Sequence, residues 1–452
     1  MNKNTINIAF VGFGEVNSPK NLLEKKCNYA LEEIRSLGFN VISTDLVTDD
    51  NDGIDVNRAI KDLSGKEFDA LIICIAGWIP SHTVINITEE FKSIPMILWG
   101  LAGDKIDNRI VTTAPQAGTS ALRIVFKDLG YKFIYIYNII GKPSPLEKIE
   151  NFLLAASAAK AIVKSKIGMM GFRDMNLYNT FYEGISLKKK MGIDIEYFEM
   201  LEMVQFSKNI NSNEVTTILN KIKKEWNFEG SFDDQMLDQG ITYYLAIRKI
   251  VEENNYNAVS IKDVDGMKKL LGFPPAMIFM LLSDEMNICT IPENDAMGSV
   301  TQLIIKYITG QSAAYLEFYE FFENSVLLGV PDYVPAETVD GKVNVIPAGF
   351  GSLSKGLLNI SKMKTGKITL ARLSYSRNSY TMHICEGEGR LISWEEAGWD
   401  YPAPQLPSLE VFIDTPVEDF AQNITGQHYI IAYGDYQDSL KNFCYLRDIN
   451  VV

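Results

Sequence analysis

Cysteine is sparse here and badly placed for cross-linking. The five residues, Cys27, Cys74, Cys289, Cys385 and Cys444, are scattered and form no CxxC pair. An odd number at wide spacing fits free thiols in a reducing compartment better than a disulfide framework. Positive charge is also short. Lys and Arg total 43 against 57 Asp and Glu, a net charge of −14. That balance, with no basic run or basic-aromatic interleaving, argues against nonspecific binding to nucleic acid or to an anionic membrane. Long apolar runs are missing too. The longest, FPPAMIFMLL, falls far short of a membrane span. The opening MNKNTINIAFVGFGEV has only a short apolar run before Glu15, where a secretory leader needs a longer core and a small-residue cleavage site. The expectation is a soluble cytoplasmic protein. Internal repeats and low-complexity tracts are absent.

What is present is a globular composition, 46% apolar and 22% charged, over 452 residues. That length predicts two or three domains. TINIAFVG, FNVISTDLV, DALIICIAGW, PMILWG and KFIYIYNII alternate with helical segments, which means βα units and a buried parallel sheet. Residues 1–142 therefore read as one doubly wound, Rossmann-like domain. Ser144-Pro145-Leu146-Glu147 has the form of a helix start. KIGMMGF opens a second α/β series over residues 143–325, with strands at DIEYFEML and NAVSIKDV and helices at about 206–226 and 232–254. From 326 to 452 the texture is β-rich. GKITLARLSYSRNSYTMHICEGEGRLI alternates around a polar turn and predicts an antiparallel hairpin, with further strands at LEVFIDTP and HYIIAYGD. The predicted fold class is α/β: two Rossmann-like parallel-sheet domains, then a barrel-like β domain.

The stretch MNICTIPENDAMGSVTQLIIKYITGQSAAYLEFYEF reads as strand, Pro292 break, helix, Thr-Gly stop, strand. Taken as parallel neighbours, its two strands put Glu293 and Glu317 at or near the carboxyl edge, where open α/β sheets hold ligands. Adjacent strands lie roughly 5 Å apart, so both carboxylates reach one point. With an imidazole they form a hard, oxygen-rich cup suited to a divalent cation. Taken singly, each has a bland reading: a helix-start acid for Glu293 and a solvated strand end for Glu317. Of the three histidines, His82 lies in a loop as a surface residue or substrate contact. His383 sits on the hairpin as a packed or exposed residue. His428 starts a strand two residues after Gly426 and can point into a cleft. Trp78 and Trp99 follow apolar runs, where a ring can stack on a sugar face or simply pack in the core. Gly12-Phe13-Gly14 lacks the third glycine of a dinucleotide fingerprint and reads as a tight turn.

IPENDAMGSVTQLIIKYITG with AAYLEFYEF, and EAGWDYPAPQLP with TGQHYIIAYGDYQDSL, resemble segments of the L-fucose/L-arabinose isomerase-like sugar isomerases. The order of domains agrees along essentially the whole chain. The resemblance implies a manganese-type ion held by Glu293, Glu317 and His428. It implies aldose–ketose isomerisation of a monosaccharide through an enediol, with Glu293 and Glu317 as the catalytic carboxylates. It also implies homo-oligomers, trimers or hexamers, with sites between subunits. Two departures stand out. Glu317 replaces the Asp that fucose isomerases carry, and VIPAGFGS (345–352) has no counterpart of the second histidine of arabinose isomerases. Trp78, Arg173 in GFRDMN and Lys262 in SIKDV are candidate sugar contacts, with surface salt bridging the bland fate of the last two. A non-catalytic sugar-binding protein with two α/β lobes is the alternative.

Overall fold

Six consecutive buried residues, Ala70–Ile75 (ALIICI), mark a strand covered on both faces. The computed structural model describes residues 3–330, 333–348, 356–392 and 407–452. EAGWDYPAPQL and the GFGS of VIPAGFGS lie outside the described residues. The chain divides into two compact units, Met1–Lys160 and Ala161–Val452.

In the first unit, β1 (Asn7–Phe13), β2 (Asn40–Ser43), β3 (Ala70–Ile75), β4 (Met96–Gly100) and β5 (Phe133–Tyr137) form a sheet in the order β2-β1-β3-β4-β5. Every pairing is parallel. This is the doubly wound pattern that the alternation predicts. The glycines after β1 serve packing: a methyl at Gly12 would meet Cys27 Sγ at 2.5 Å, and one at Gly14 would meet Leu23 at 2.6 Å. Both partners sit on the helix Lys20–Ser36, which seats close to the strand.

The second unit begins with β6 (Lys166–Met170), β7 (Asp194–Phe198), β8 (Ala258–Ile261) and β9 (Cys289–Pro292), a parallel sheet in the order β9-β8-β6-β7. The helix predicted over 206–226 is two helices, Met200–Ser207 and Ser212–Glu225, because Asn211 accepts the Asn213 N–H and starts the second. Gly168 lets the Tyr256 ring lie against β6. A methyl there would stand 2.4 Å from the ring. Gly168→Ala is expected to cost about 1–3 kcal/mol by overpacking, read as a lower urea midpoint with unchanged slope.

A closed antiparallel barrel follows. Its strands are β10 (Ala314–Phe321), β11 (Val326–Gly329), β12 (Gly366–Ser376), β13 (Ser379–Arg390), β14 (Ser408–Ile413) and β15 (His428–Tyr433). They run in the order β12-β15-β10-β11-β14-β13, and β12 pairs back onto β13. Closure removes the exposed edges of an open sheet. The β12–β13 hairpin turns at Arg377 and Asn378, both at positive φ, a pair suited to the tight reversal between twisted strands.

One expectation fails. Glu293 and Glu317 do not follow neighbouring parallel strands. The partner of β9 is β8, whereas β10 pairs antiparallel with β11 and β15. The reason lies in burial. A strand inside a parallel sheet is apolar on both faces, but only the first three residues of AYLEFYEF are buried and the rest are progressively exposed. The helix Ala296–Thr309 therefore ends at Gly310 (φ 80°) and delivers the chain into the barrel rather than back to the sheet.

Candidate active site

Glu293 stands just past β9. Glu293 and Asn294 are both left-handed, with φ of 61° and 52°. Neither is glycine, so the turn stores strain that its surroundings must hold. Three polar side chains do so. Asp263, just beyond β8, accepts the Glu293 N–H at 3.1 Å. Asn294 Nδ2 donates to the carbonyls of Met170 (3.2 Å) and Gly171 (2.7 Å) at the end of β6. Asp295 caps the helix Ala296–Thr309 by accepting the Gly298 N–H at 2.9 Å. Behind them, Lys268 Nζ donates to Asp263 at 3.1 Å, both side chains being 1% exposed.

Glu317 and His428 come from the barrel. They are directly opposed residues on β10 and β15, so their side chains share a face. Tyr315, two residues before Glu317, lies on the same face. Its ring stacks on the His428 imidazole with centroids 4.2 Å apart and planes 11° from parallel. The Tyr315 hydroxyl donates to Asp295 Oδ2 at 2.7 Å. Arg372 on β12 forks onto both oxygens of Asp295, with Nη2–Oδ1 at 3.0 Å. Gly426 makes room, since a methyl there would meet Arg372 Nε at 2.6 Å. A buried chain of contacts, Arg372–Asp295–Tyr315–His428, thus ties the barrel to the turn that carries Glu293.

The structure brings Glu293, Glu317 and His428 together by this route. His428 Nδ1 is 3.7 Å from Glu293 Oε2, and His428 Nε2 is 3.6 Å from Glu317 Oε2. The imidazole side chain is 4% exposed, and the carboxylates 13% and 23%. Gln427 Nε2 donates to Glu317 Oε2 at 2.7 Å. Burial lowers the His428 pKa to about 3, the nearby Asp295 carboxylate opposing that shift and the Arg372 guanidinium adding to it. The ring is neutral at pH 7, the form that ligates a metal. Burial also disfavours the Asp295 anion, but Arg372 and the bonds from Gly298 and Tyr315 outweigh it and hold the carboxyl below its ordinary range.

Two carboxylates and a neutral imidazole match a divalent cation in chemistry. In spacing the cup is open. Cis donors about 2.1 Å from one ion stand about 3 Å apart, less than either separation here, and the glutamates face different ring nitrogens. Among the described residues, no three His, Cys, Asp or Glu side chains already form a cation site. Ligation therefore requires side-chain rotation.

Trp78 belongs to the first unit, after β3, and is 40% exposed. Trp99 is buried, with Nε1 donating to Asn138 Oδ1 at 2.7 Å, a core residue. His82 is exposed in the first unit. Arg173 follows β6 and donates to Asn176 at 3.0 Å. Lys262 follows β8 and lays its stem over Gly171 and Gly266. Sequence reasoning missed Arg372, Tyr315, Gln427, Asp263 and Lys268. For Arg372 the available signal was a charge within the apolar run ITLARL, which requires a buried partner.

His383 is buried on β13, its Nδ1 2.7 Å from the Tyr429 hydroxyl, and burial lowers its pKa to about 4. The unfolded chain then binds a proton that the native one refuses between pH 6.5 and 4. The neutral ring costs nothing above pH 6.5, and stability falls as pH drops through that window. The expected slope is up to about 1.4 kcal/mol per pH unit. His383→Gln should remove that part of the slope, measured by urea unfolding from pH 7.5 to 4.

No family model matches the chain. Curated relatives do. Sulfoquinovose isomerases of Priestia aryabhattai and Priestia megaterium are each 18% identical over 392 residues, covering 84% of this chain and 84% of theirs. An L-arabinose isomerase of Oceanobacillus iheyensis is 20% identical over 334 residues, covering 69% of this chain and 68% of its own. A periplasmic solute-binding protein from Actinobacillus succinogenes, solved with bound D-allose, aligns at 15% identity over 73% of this chain and 95% of its own, but at a TM-score of 0.18, which carries no weight for the sugar-binding alternative. No helix among the described residues is long and apolar enough to cross a membrane. Together with two α/β sheets and a terminal barrel, these relatives support placing the chain with sugar isomerases of the L-fucose/L-arabinose isomerase type.

Proposed function

We propose that this protein interconverts an aldose and a ketose through a cis-enediol, at a site built from Glu293, Glu317 and His428. The observation that carries the reading is the imidazole seated between two carboxylates at 3.7 and 3.6 Å. The names of the relatives support the reaction class. A divalent cation, manganese by family resemblance, would be held by these three side chains and would supply positive charge at the sugar oxygens on C1 and C2.

The remaining chemistry belongs to the side chains. One glutamate takes the C2 proton as general base and returns it to C1, and the other moves a proton from the C2 oxygen to the C1 oxygen. Gln427 fixes the Glu317 carboxylate, and the strained turn at Glu293 and Asn294 fixes the other. Tyr315 keeps the imidazole plane from rotating by stacking on it. Preorganisation of this kind lowers the cost of aligning the reacting groups.

The test is metal removal. Dialysis against EDTA should abolish aldose–ketose interconversion across a panel of pentoses, hexoses and deoxy sugars, and Mn2+ should restore it. Full activity in metal-stripped protein, verified by elemental analysis, would refute the metal-assisted reading.

A further inference from the structure

Among the described residues, Arg173 is a cation without a counter-charge. Its guanidinium lies 4.6 Å from the Phe181 ring centre and 5.1 Å from that of Tyr178, and its hydrogen bond goes to the neutral Asn176. No carboxylate among the described residues pairs with it. The chain holds 57 acidic side chains against 43 basic ones, so an arginine with no carboxylate partner among the described residues calls for a reason. Aromatic faces hold the guanidinium by its plane and leave its edge donors available.

The same arginine lines a cavity of about 250 Å³ with Thr180, Phe181, Tyr182, Tyr197 and Asn294. Asn294 is the residue after Glu293, which places the cavity beside the proposed catalytic cup. Asn294 is 2% exposed, and its Nδ2 is committed to Met170 and Gly171. That commitment leaves Oδ1 as an acceptor, and it has no hydrogen-bond partner among the described residues. An orphaned buried acceptor costs about 1–3 kcal/mol unless something donates to it. The Tyr182 and Tyr197 hydroxyls share one hydrogen bond at 2.8 Å, so one hydroxyl hydrogen remains to donate. The cavity thus offers an acceptor next to the cup, then a hydroxyl donor and a free guanidinium edge.

We propose that this cavity is the subsite for the distal end of the sugar, with Asn294 Oδ1 accepting from a chain hydroxyl and Arg173 binding a terminal anionic substituent. The inference rests on the isomerase reading and narrows its substrates to aldoses carrying a sulfonate, a phosphate or a carboxylate at the far end. A guanidinium edge meets any of these groups with two parallel hydrogen bonds. A neutral terminal hydroxyl would leave the cation uncompensated.

The experiment compares kcat/KM for one aldose skeleton bearing, at its last carbon, a hydroxyl, a sulfonate, a phosphate or a carboxylate. One anionic form is expected to exceed the hydroxyl form tenfold or more, mainly through KM, and the best of the three identifies the anion. Arg173→Gln should cut that anion-to-hydroxyl ratio at least tenfold, and Arg173→Lys should retain part of it. A ratio near one in the native protein, or a ratio that Arg173→Gln leaves intact, overturns the subsite. Calorimetry with the same four sugars separates the two proposals. Should none be turned over, the isomerase reading fails, and the subsite then stands only if an anionic sugar binds and Arg173→Gln weakens its Kd at least tenfold.

Discussion

Glu317→Gln should nearly abolish aldose–ketose interconversion while the fold survives. The substitution keeps the shape of the side chain but removes a negative charge and a base. Its surroundings tolerate the change sterically: the side chain is 23% exposed, and Gln427 can still donate to the remaining carbonyl oxygen. General acid–base assistance alone is worth about 10²–10⁴ in rate, and a weakened cation site adds to the loss. Glu293→Gln should behave similarly, because neither carboxylate can take the other's place beside His428. The assay is interconversion at saturating Mn2+, with circular dichroism and the urea midpoint as folding controls. Near-native turnover in either variant would remove that glutamate from the chemistry, and near-native turnover in both would refute the enediol reading.

The largest effect on stability is expected at Arg372. Arg372 and Asp295 are each 1% exposed and joined through both carboxylate oxygens. Arg372→Met leaves the Asp295 anion buried with only Tyr315 and the Gly298 N–H. Breaking one side of a buried pair costs about 3–5 kcal/mol, because an uncompensated charge remains in a medium of low dielectric. The double variant Arg372→Met with Asp295→Asn should recover part of that loss, since the second change discharges the orphan. Urea unfolding at pH 7 measures both. A single-variant loss below about 1 kcal/mol would mean that the pair is solvated.

Much of the architecture was legible in the chain. Apolar runs such as Ala70–Ile75, alternating with helices, specify parallel sheets, because a strand buried on both faces has no polar side to show. The Arg377-Asn378 reversal between two alternating runs specifies the β12–β13 hairpin. Glu293, Glu317 and His428 could be singled out by residue type, by the turn residues around them and by family resemblance. Their route to one another could not. It was expected along a shared parallel edge, and it runs across the seam between a sheet and a barrel.

Local sequence therefore determined which segments are strands, which are helices, and which residues have chemistry to offer. Register and closure decided the rest. Glu317 faces His428 because β10 and β15 pair with those two residues opposed, and a slip of one position would turn one of them to the other side of the sheet. Asp295 meets Arg372 across 77 positions of chain, and Asp263 meets the Glu293 N–H across 30. No periodicity encodes such distances. They exist only once the barrel has closed and desolvation has made each buried charge find its partner.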